Sequence, residues 1–135
     1  MTHYPILRIT QKTTNQQIFD AAYAHLKAQG RRCVKAVGSG RERCQYRNEG
    51  RACAVGAFLT DRLAALFDKR TTKGASVKTL SRMADAPNWL FKRLDFMIAL
   101  QAVHDSMFDG PAFQSRLAKR FADIAKIYDL QPPAP

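Results

Sequence analysis

The segment from Lys27 to Arg51 concentrates the basic residues of this chain. It holds eight lysines and arginines against two acids, a local net charge of +6 within a formal total of +11 for the 135 residues. Charge packed this closely creates a strong positive potential, whose natural counterparts are phosphate groups or an acidic protein surface. Arginine outnumbers lysine here by six to two, which favours bidentate contacts with phosphate or carboxylate oxygens. The segment is therefore the first candidate for a binding surface.

An aromatic residue lies among these arginines. Tyr46 precedes Arg47, and aromatic rings beside guanidinium groups combine backbone contact with base stacking. Alternatively, Tyr46 packs into the core and the arginines are merely solvated, since aromatic residues in hairpins commonly serve packing. The predicted partner-binding residues are Arg31, Arg32, Lys35, Arg41, Arg43, Tyr46, Arg47 and Arg51. A secondary basic surface is predicted at Lys69, Arg70, Lys73 and Lys78.

The three cysteines and three histidines raise the possibilities of a zinc site and of a nucleophilic enzyme. Ten and eight residues separate consecutive cysteines, without a paired metal-ligand spacing, so no metal site is predicted. A nucleophilic pair of Cys44 or Cys53 with His104 would be spatial, with Asp105 beside the histidine, and it stays open as an alternative. No Gly-rich phosphate loop or strained nucleophile turn accompanies it. We therefore predict a non-enzymatic protein with no cofactor.

Length and composition indicate one folded domain. A hydrophobic fraction of 46% argues against a disordered basic tail. The isoelectric point near 10.1 makes attraction to polyanions the default physical expectation. No signal peptide is visible, and the longest apolar stretch, around Phe96 to Val103, is too short to span a bilayer. These features predict a cytoplasmic protein with reduced thiols and no membrane partner.

The hydrophobic periodicity predicts an α+β single domain, mainly α with about five helices and one small β-hairpin. Residues 1–13 are expected to form an extended lead-in, residues 14–130 the globular domain, and residues 131–135 a disordered tail. Thr14 and Gln17 make a capping-box signature for a first helix that ends at Gln29, before Gly30. Two shorter helices are expected before the C-terminal half.

The C-terminal half is predicted to supply most of the core. A long helix from about Asn88 to Met107 is apolar on more than one face and should be the most buried one. Leu94 and Ile98 are expected in the core from this helix, and Phe121 and Ile124 from the last helix.

The β-hairpin is predicted at about residues 43–55, with strands on either side of Asn48-Glu49-Gly50. With a three-residue loop, Arg47 faces Arg51. With a two-residue loop at Glu49-Gly50, the register shifts by one residue and every side chain of one strand changes face. In neither register do Cys44 and Cys53 have the geometry of a disulfide.

Several stretches of the chain resemble small uncharacterised proteins of tailed bacteriophages and prophages. The motif is Cys44-Gln45-Tyr46-Arg47, then Gly50-Arg51-Ala52-Cys53-Ala54-Val55-Gly56, with Asp61 after it. The helix from Gln17 to Gly30 and the segment Leu100-Gln101 with His104-Asp105 are also similar, so the resemblance spans about residues 17–130. The segment between Gly30 and Cys44 is longer and richer in arginine than the family pattern. This departure would place a specialised activity in the extra basic surface.

The resemblance implies a mobile-element protein in the cytoplasm of a bacterial host. Small accessory proteins of that origin often disable host defence machinery, and CRISPR effector complexes are one such target. The function expected first is therefore a non-enzymatic accessory protein that binds a host nucleoprotein complex through its basic surface, as an anti-CRISPR-like inhibitor would. A plain DNA- or RNA-binding accessory protein and a small Cys–His enzyme are the alternatives. The sequence names neither the target nor the oligomeric state.

Overall fold

The computed structural model describes residues 3–71 and 76–133, and within them it has six α-helices and two short antiparallel strand pairs. The helices are α1 (Asn15–Gln29), α2 (Asp61–Thr71), α3 (Val77–Leu80), α4 (Asn88–Lys92), α5 (Leu94–Asp105) and α6 (Phe113–Ile127). The strands are β1 (Val34–Ala36), β2 (Glu42–Cys44), β3 (Arg47–Asn48) and β4 (Arg51–Ala52), followed by a 3-10 turn at Gly56–Phe58. The predicted single-domain α+β fold is confirmed. No helix in these ranges is long and apolar enough to cross a membrane.

Helix α1 begins and ends at the predicted residues. The Thr14 hydroxyl accepts a hydrogen bond from the Gln17 N–H (3.1 Å), and the Gln17 side chain accepts one from the Thr14 N–H (2.8 Å). Gly30 ends the helix with φ at 71°, a conformation that costs glycine little because it has no Cβ. The buried face packs on α6, where the rings of Phe19 and Phe121 lie 5.2 Å apart.

The long C-terminal helix predicted from Asn88 to Met107 is two helices. The chain leaves helical geometry at Arg93 (φ −116°, ψ 31°), between α4 and α5. The guanidinium group of Arg93 donates hydrogen bonds to the Asn15 side chain (2.7 Å) and to the Thr13 carbonyl, at the start of α1. The helix therefore breaks at the residue whose side chain is bound to the start of α1. Helix periodicity does not reveal such a contact, because it reflects only residues that are close together along the chain.

The burial predicted for this half is partly correct. Phe121 and Ile124 are buried, with 0% and 6% exposure, as expected. Leu94 is half-buried, and Ile98 is wrong as a core residue, since 36% of it is exposed. After the break, α5 turns a different stripe inward, which includes Met97 and Leu100.

The predicted hairpin is instead two consecutive ribbons. Strand β2 pairs backwards with β1, so that Lys35 lies opposite Arg43. Strands β3 and β4 pair through the two-residue loop Glu49-Gly50, and the register that sets Arg47 opposite Arg51 is wrong. The two ribbons are separated at positions 46 and 47, between β2 and β3, where the Asp68 carboxylate accepts both backbone N–H groups (2.6 and 3.1 Å).

The chain ends are tied to the domain at a few points. Described residues 3–13 form neither helix nor strand, and the Ile6 N–H donates to the Ala57 carbonyl (2.8 Å). In the tail predicted to be disordered, Gln131 exchanges two hydrogen bonds with Gln16 of α1. Residues 134–135 lie outside the described residues.

Candidate functional site

The eight predicted binding residues separate into three groups in the structure. Three lie on one face of the β1–β2 ribbon, two line a groove under α1, and three are held inside the domain. In that order, the groups are Lys35, Arg41 and Arg43; Arg31 and Arg51; and Arg32, Tyr46 and Arg47. The segment that looks like one basic surface in the sequence is therefore three environments.

The first group defines what we call the basic ribbon face: Lys35, Arg41 and Arg43. Lys35 and Arg43 are directly opposed, and the Val37 N–H donates to the Arg41 carbonyl (3.1 Å), which continues the ladder by one pair. Because side chains alternate along a strand, Arg41 lies on the same face as the other two. None of the three forms an ion pair within the described ranges. Burial raises the pKa of Asp68, and the charge of Lys35 is among the effects that lower it.

The turn at the end of this ribbon consists of three residues with a left-handed backbone conformation. Gly38, Ser39 and Gly40 have φ of 96°, 49° and 74°, and nothing lies within 4 Å of a Cβ added at either glycine. The turn therefore projects into solvent and carries no bulky side chain.

The base of the ribbon is anchored to the end of α5. The Cys33 N–H donates to Nε2 of the buried His104 (2.8 Å), and Nδ1 of that ring bonds the Asp105 carboxylate (2.8 Å). The Gln101 amide also donates to Asp105 (2.9 Å). These bonds join the start of β1 to a core helix, so the ribbon is held at its base by a rigid element.

The atoms that could bind a metal in Cys44, His104 and Asp105 lie within 4.8 Å of one another, the one such group in the part of the chain described. Both ring nitrogens of His104 are already used, however. Nε2 accepts the Cys33 N–H, so the ring proton is on Nδ1 and is donated to Asp105. A metal would have to displace one of these bonds, and the donor set therefore fits an anchor better than a metal site.

The same bonds bear on a thiol nucleophile. A reactive cysteine needs a lowered pKa and a free base. Burial, and next the charge of Asp105, raises the pKa of Cys44 to about 12, and burial raises the pKa of the fully enclosed Cys53 well above its usual value. The lone pair of His104 is committed to the backbone. These environments favour protonated, unreactive thiols.

Tyr46 packs into the core, which is the alternative that the sequence left open to a role in base stacking. It is 5% exposed, and its ring meets Phe67 edge-on with centroids 5.5 Å apart. Its backbone lies against Gly56, where an added Cβ would be 2.0 Å from the Tyr46 carbonyl oxygen. The ring is therefore not available to stack on a base.

Arg47 is also an internal residue. Its guanidinium donates to the carbonyls of Gly56 (2.9 Å) and Leu59 (3.0 Å) and to the Asp61 carboxylate. It lies 3.9 Å from the centroid of the Tyr4 ring. It cross-links the lead-in, β3 and the start of α2, which corrects its assignment to an exposed partner-binding surface.

The Arg32 side chain is likewise paired with residues of the domain itself. It bridges Glu42 (3.0 Å) and Asp109 (3.4 Å), and its backbone N–H donates to Asp109 as well (2.8 Å). Only 16% of its side chain is exposed. Arg32 therefore links the ribbon to the loop after α5 and is not part of a free basic surface.

Arg31 and Arg51 lie together at a separate place. Both line a groove of about 800 Å³ between α1 and the β3–β4 loop. Arg31 is exposed, whereas Arg51 is half-buried and pairs with Glu49 (3.3 Å). The groove wall includes His25, whose pKa is lowered by burial and whose Nε2 bonds the Ala52 carbonyl (2.9 Å).

The predicted secondary basic surface is divided too. Lys69 and Arg70 are exposed in the last turn of α2. Lys78 is exposed on α3, a different helix. Lys73 lies outside the described residues.

The residues that sequence reasoning missed are the acceptors that hold the basic segment in place. Asp68, Gln101 and Asp109 accept backbone N–H groups that lie 21 to 77 positions away along the chain, and no spacing pattern marks them. Comparisons of the chain with protein-family models, curated proteins and solved structures find no match. The functional argument therefore depends on the site.

Proposed function

We propose that this is a non-enzymatic binding protein whose β1–β2 ribbon contacts the phosphate backbone of a nucleic acid duplex. The observation that supports the proposal is the basic ribbon face. Its three cations lack ion-pair partners within the described residues, whereas Arg32, Arg47 and Arg51 are paired internally. Unpaired cations on an anchored element meet phosphates without first breaking internal bonds.

The shape of the ribbon favours a duplex. A two-stranded ribbon is one of the two elements that the major groove of B-DNA admits. The Gly38-Ser39-Gly40 turn has no large side chain, so its backbone can approach the polyanion closely. The burial of Tyr46 argues against a single-strand mode based on stacking at this site.

The resemblance to phage and prophage proteins supports a bacterial cytoplasm as the place of action. In that setting the duplex would belong to a host nucleoprotein complex, such as a CRISPR effector, and occupation of its backbone would inhibit it. The ribbon would perform this step by charge and shape alone, without a covalent reaction.

The test is binding to a fluorescent duplex of about 20 base pairs at several salt concentrations. Three phosphate contacts predict a slope of about −2.7 in log–log form, or roughly 40-fold weaker binding between about 50 and about 200 mM salt. The variant Lys35→Gln, Arg41→Gln, Arg43→Gln should lose this component and flatten the slope.

The matched control changes three exposed cations on α6, in Arg116→Gln, Lys119→Gln, Lys126→Gln. It removes the same net charge from another surface, and it should bind nearly as the unmodified protein does. Equal losses in both variants would show that net charge alone attracts the duplex, and would contradict a specific ribbon site. Full binding by the ribbon variant would contradict it as well.

A further inference from the structure

A second pocket, of about 550 Å³, lies between the lead-in segment and α4. We propose that it binds a nucleotide, with the base against Trp89 and the phosphate at Lys92. The ligand is either a free mononucleotide or an unpaired nucleotide of a single strand, since both present the same chemistry. The site is separate from the ribbon and does not depend on the function proposed above.

The apolar wall of this pocket contains an aromatic ring, Trp89. Trp89 is half-buried, and its ring meets Phe58 edge-on at 6.4 Å between centroids, which holds its orientation. Ile9, 8% exposed, completes the apolar lining. Tryptophan offers a large aromatic surface, and stacking on such a ring accepts any base.

The polar rim of the pocket offers hydrogen-bonding groups for the edge of a base and a positive charge for a phosphate. Gln11 and Asn88 are exposed, and neither side chain has a hydrogen-bond partner within the described residues. Their amides offer both donors and acceptors for a base edge. Lys92 is exposed and is not in an ion pair with any described residue, and no acid lines the pocket. The charge complementarity therefore favours an anion.

The pocket is preformed by the break between α4 and α5. Arg93 lines it and is fixed by its bonds to Asn15 and to the Thr13 carbonyl. The Thr10 N–H donates to the Thr13 hydroxyl (2.9 Å), which ties the opposite wall to the same point. Its volume lies within the range of about 300–1,000 Å³ of small-molecule sites.

The pocket and the ribbon lie at opposite ends of α5. Lys92 and Arg93 precede this helix, whereas His104 in its last turn holds the ribbon base. A helix of 12 residues is about 18 Å long. Occupation of one site therefore need not involve the other, and variants can separate them.

Trp89 is the single tryptophan of the chain, so its fluorescence reports occupation of this pocket directly. We would titrate the full chain with adenosine monophosphate, with a single-stranded tetranucleotide, with adenosine, and with inorganic phosphate. Saturable quenching by either of the first two is expected, weaker quenching by adenosine, and none by phosphate. Quenching by the mononucleotide alone would assign a free nucleotide, and much tighter quenching by the tetranucleotide would assign a strand.

Variants then locate the site. Lys92→Gln should weaken binding roughly tenfold, as for one charge-assisted contact, whereas Lys78→Gln, an exposed lysine outside the pocket, should have no effect. Gln11→Ala, a surface change, should weaken binding without unfolding the domain. The ribbon triple variant should quench normally with the mononucleotide. No saturable quenching, or equal binding by the Lys92→Gln and Lys78→Gln variants, would overturn the proposal while leaving the ribbon proposal intact.

Discussion

Replacement of Arg47 by methionine tests whether the basic segment is partly internal. Arg47→Met keeps an unbranched apolar stem and removes the guanidinium group. That group holds the carbonyls of Gly56 and Leu59, which belong to buried residues, and contacts the Tyr4 ring. Were Arg47 a solvated surface residue, the change would alter stability by only about half a kcal/mol.

The structure predicts a much larger loss. Two hydrogen bonds from a charged donor contribute about 1.5–3 kcal/mol each, and the contact with the Tyr4 ring adds about 0.5–1 kcal/mol. The Asp61 pair adds little, because 85% of that aspartate side chain is exposed. The Nε–H group of Arg47 is buried without a partner, which offsets part of the gain. Arg47→Met should therefore lower the free energy of unfolding by about 3–5 kcal/mol.

The measurement is urea unfolding followed by helical circular dichroism, with Arg41→Met, at an exposed position of the ribbon, as the matched control. The control should lie within about half a kcal/mol of the unmodified protein. The reasoning is refuted if Arg47→Met unfolds at the same urea concentration as the control, with an unchanged denaturant slope.

Two further predictions concern packing and pH. Phe121→Ala should lower the free energy of unfolding by about 3–5 kcal/mol, but Ile98→Ala by about 1 kcal/mol, since Ile98 reaches solvent; equal losses in urea unfolding would contradict this. Burial raises the pKa of Cys33 and Cys44 from 9.0 to about 12, so the unfolded chain releases these protons first as pH rises. Their contribution to stability is complete below pH 9.0 and should decline between pH 9.0 and about 12. The urea midpoint should fall less steeply with alkaline pH in Cys44→Ala, and an identical fall would count against the thiol as its source.

The sequence by itself determined the features that depend on neighbours along the chain. The capping box at Thr14 and the stop at Gly30 use contacts within four residues, so residue types at short spacing were enough to locate α1. The α+β class followed from the periodicity of apolar residues. The concentration of charge between Lys27 and Arg51 is also a property of composition.

Only the tertiary structure decided which of those charges are paired inside the domain. Arg32 is paired with Asp109, 77 positions away, and the N–H of Arg47 bonds Asp68, 21 positions away. Arg43, in the same segment, has no such partner in the described part of the chain. The split of the long helix at Arg93 has the same origin, because its side chain bonds to residues 78 and 80 positions earlier. An arginine is a structural cross-link or a binding group according to whether folding brings acceptors within hydrogen-bond distance, and contacts of that range leave no periodic trace in the sequence.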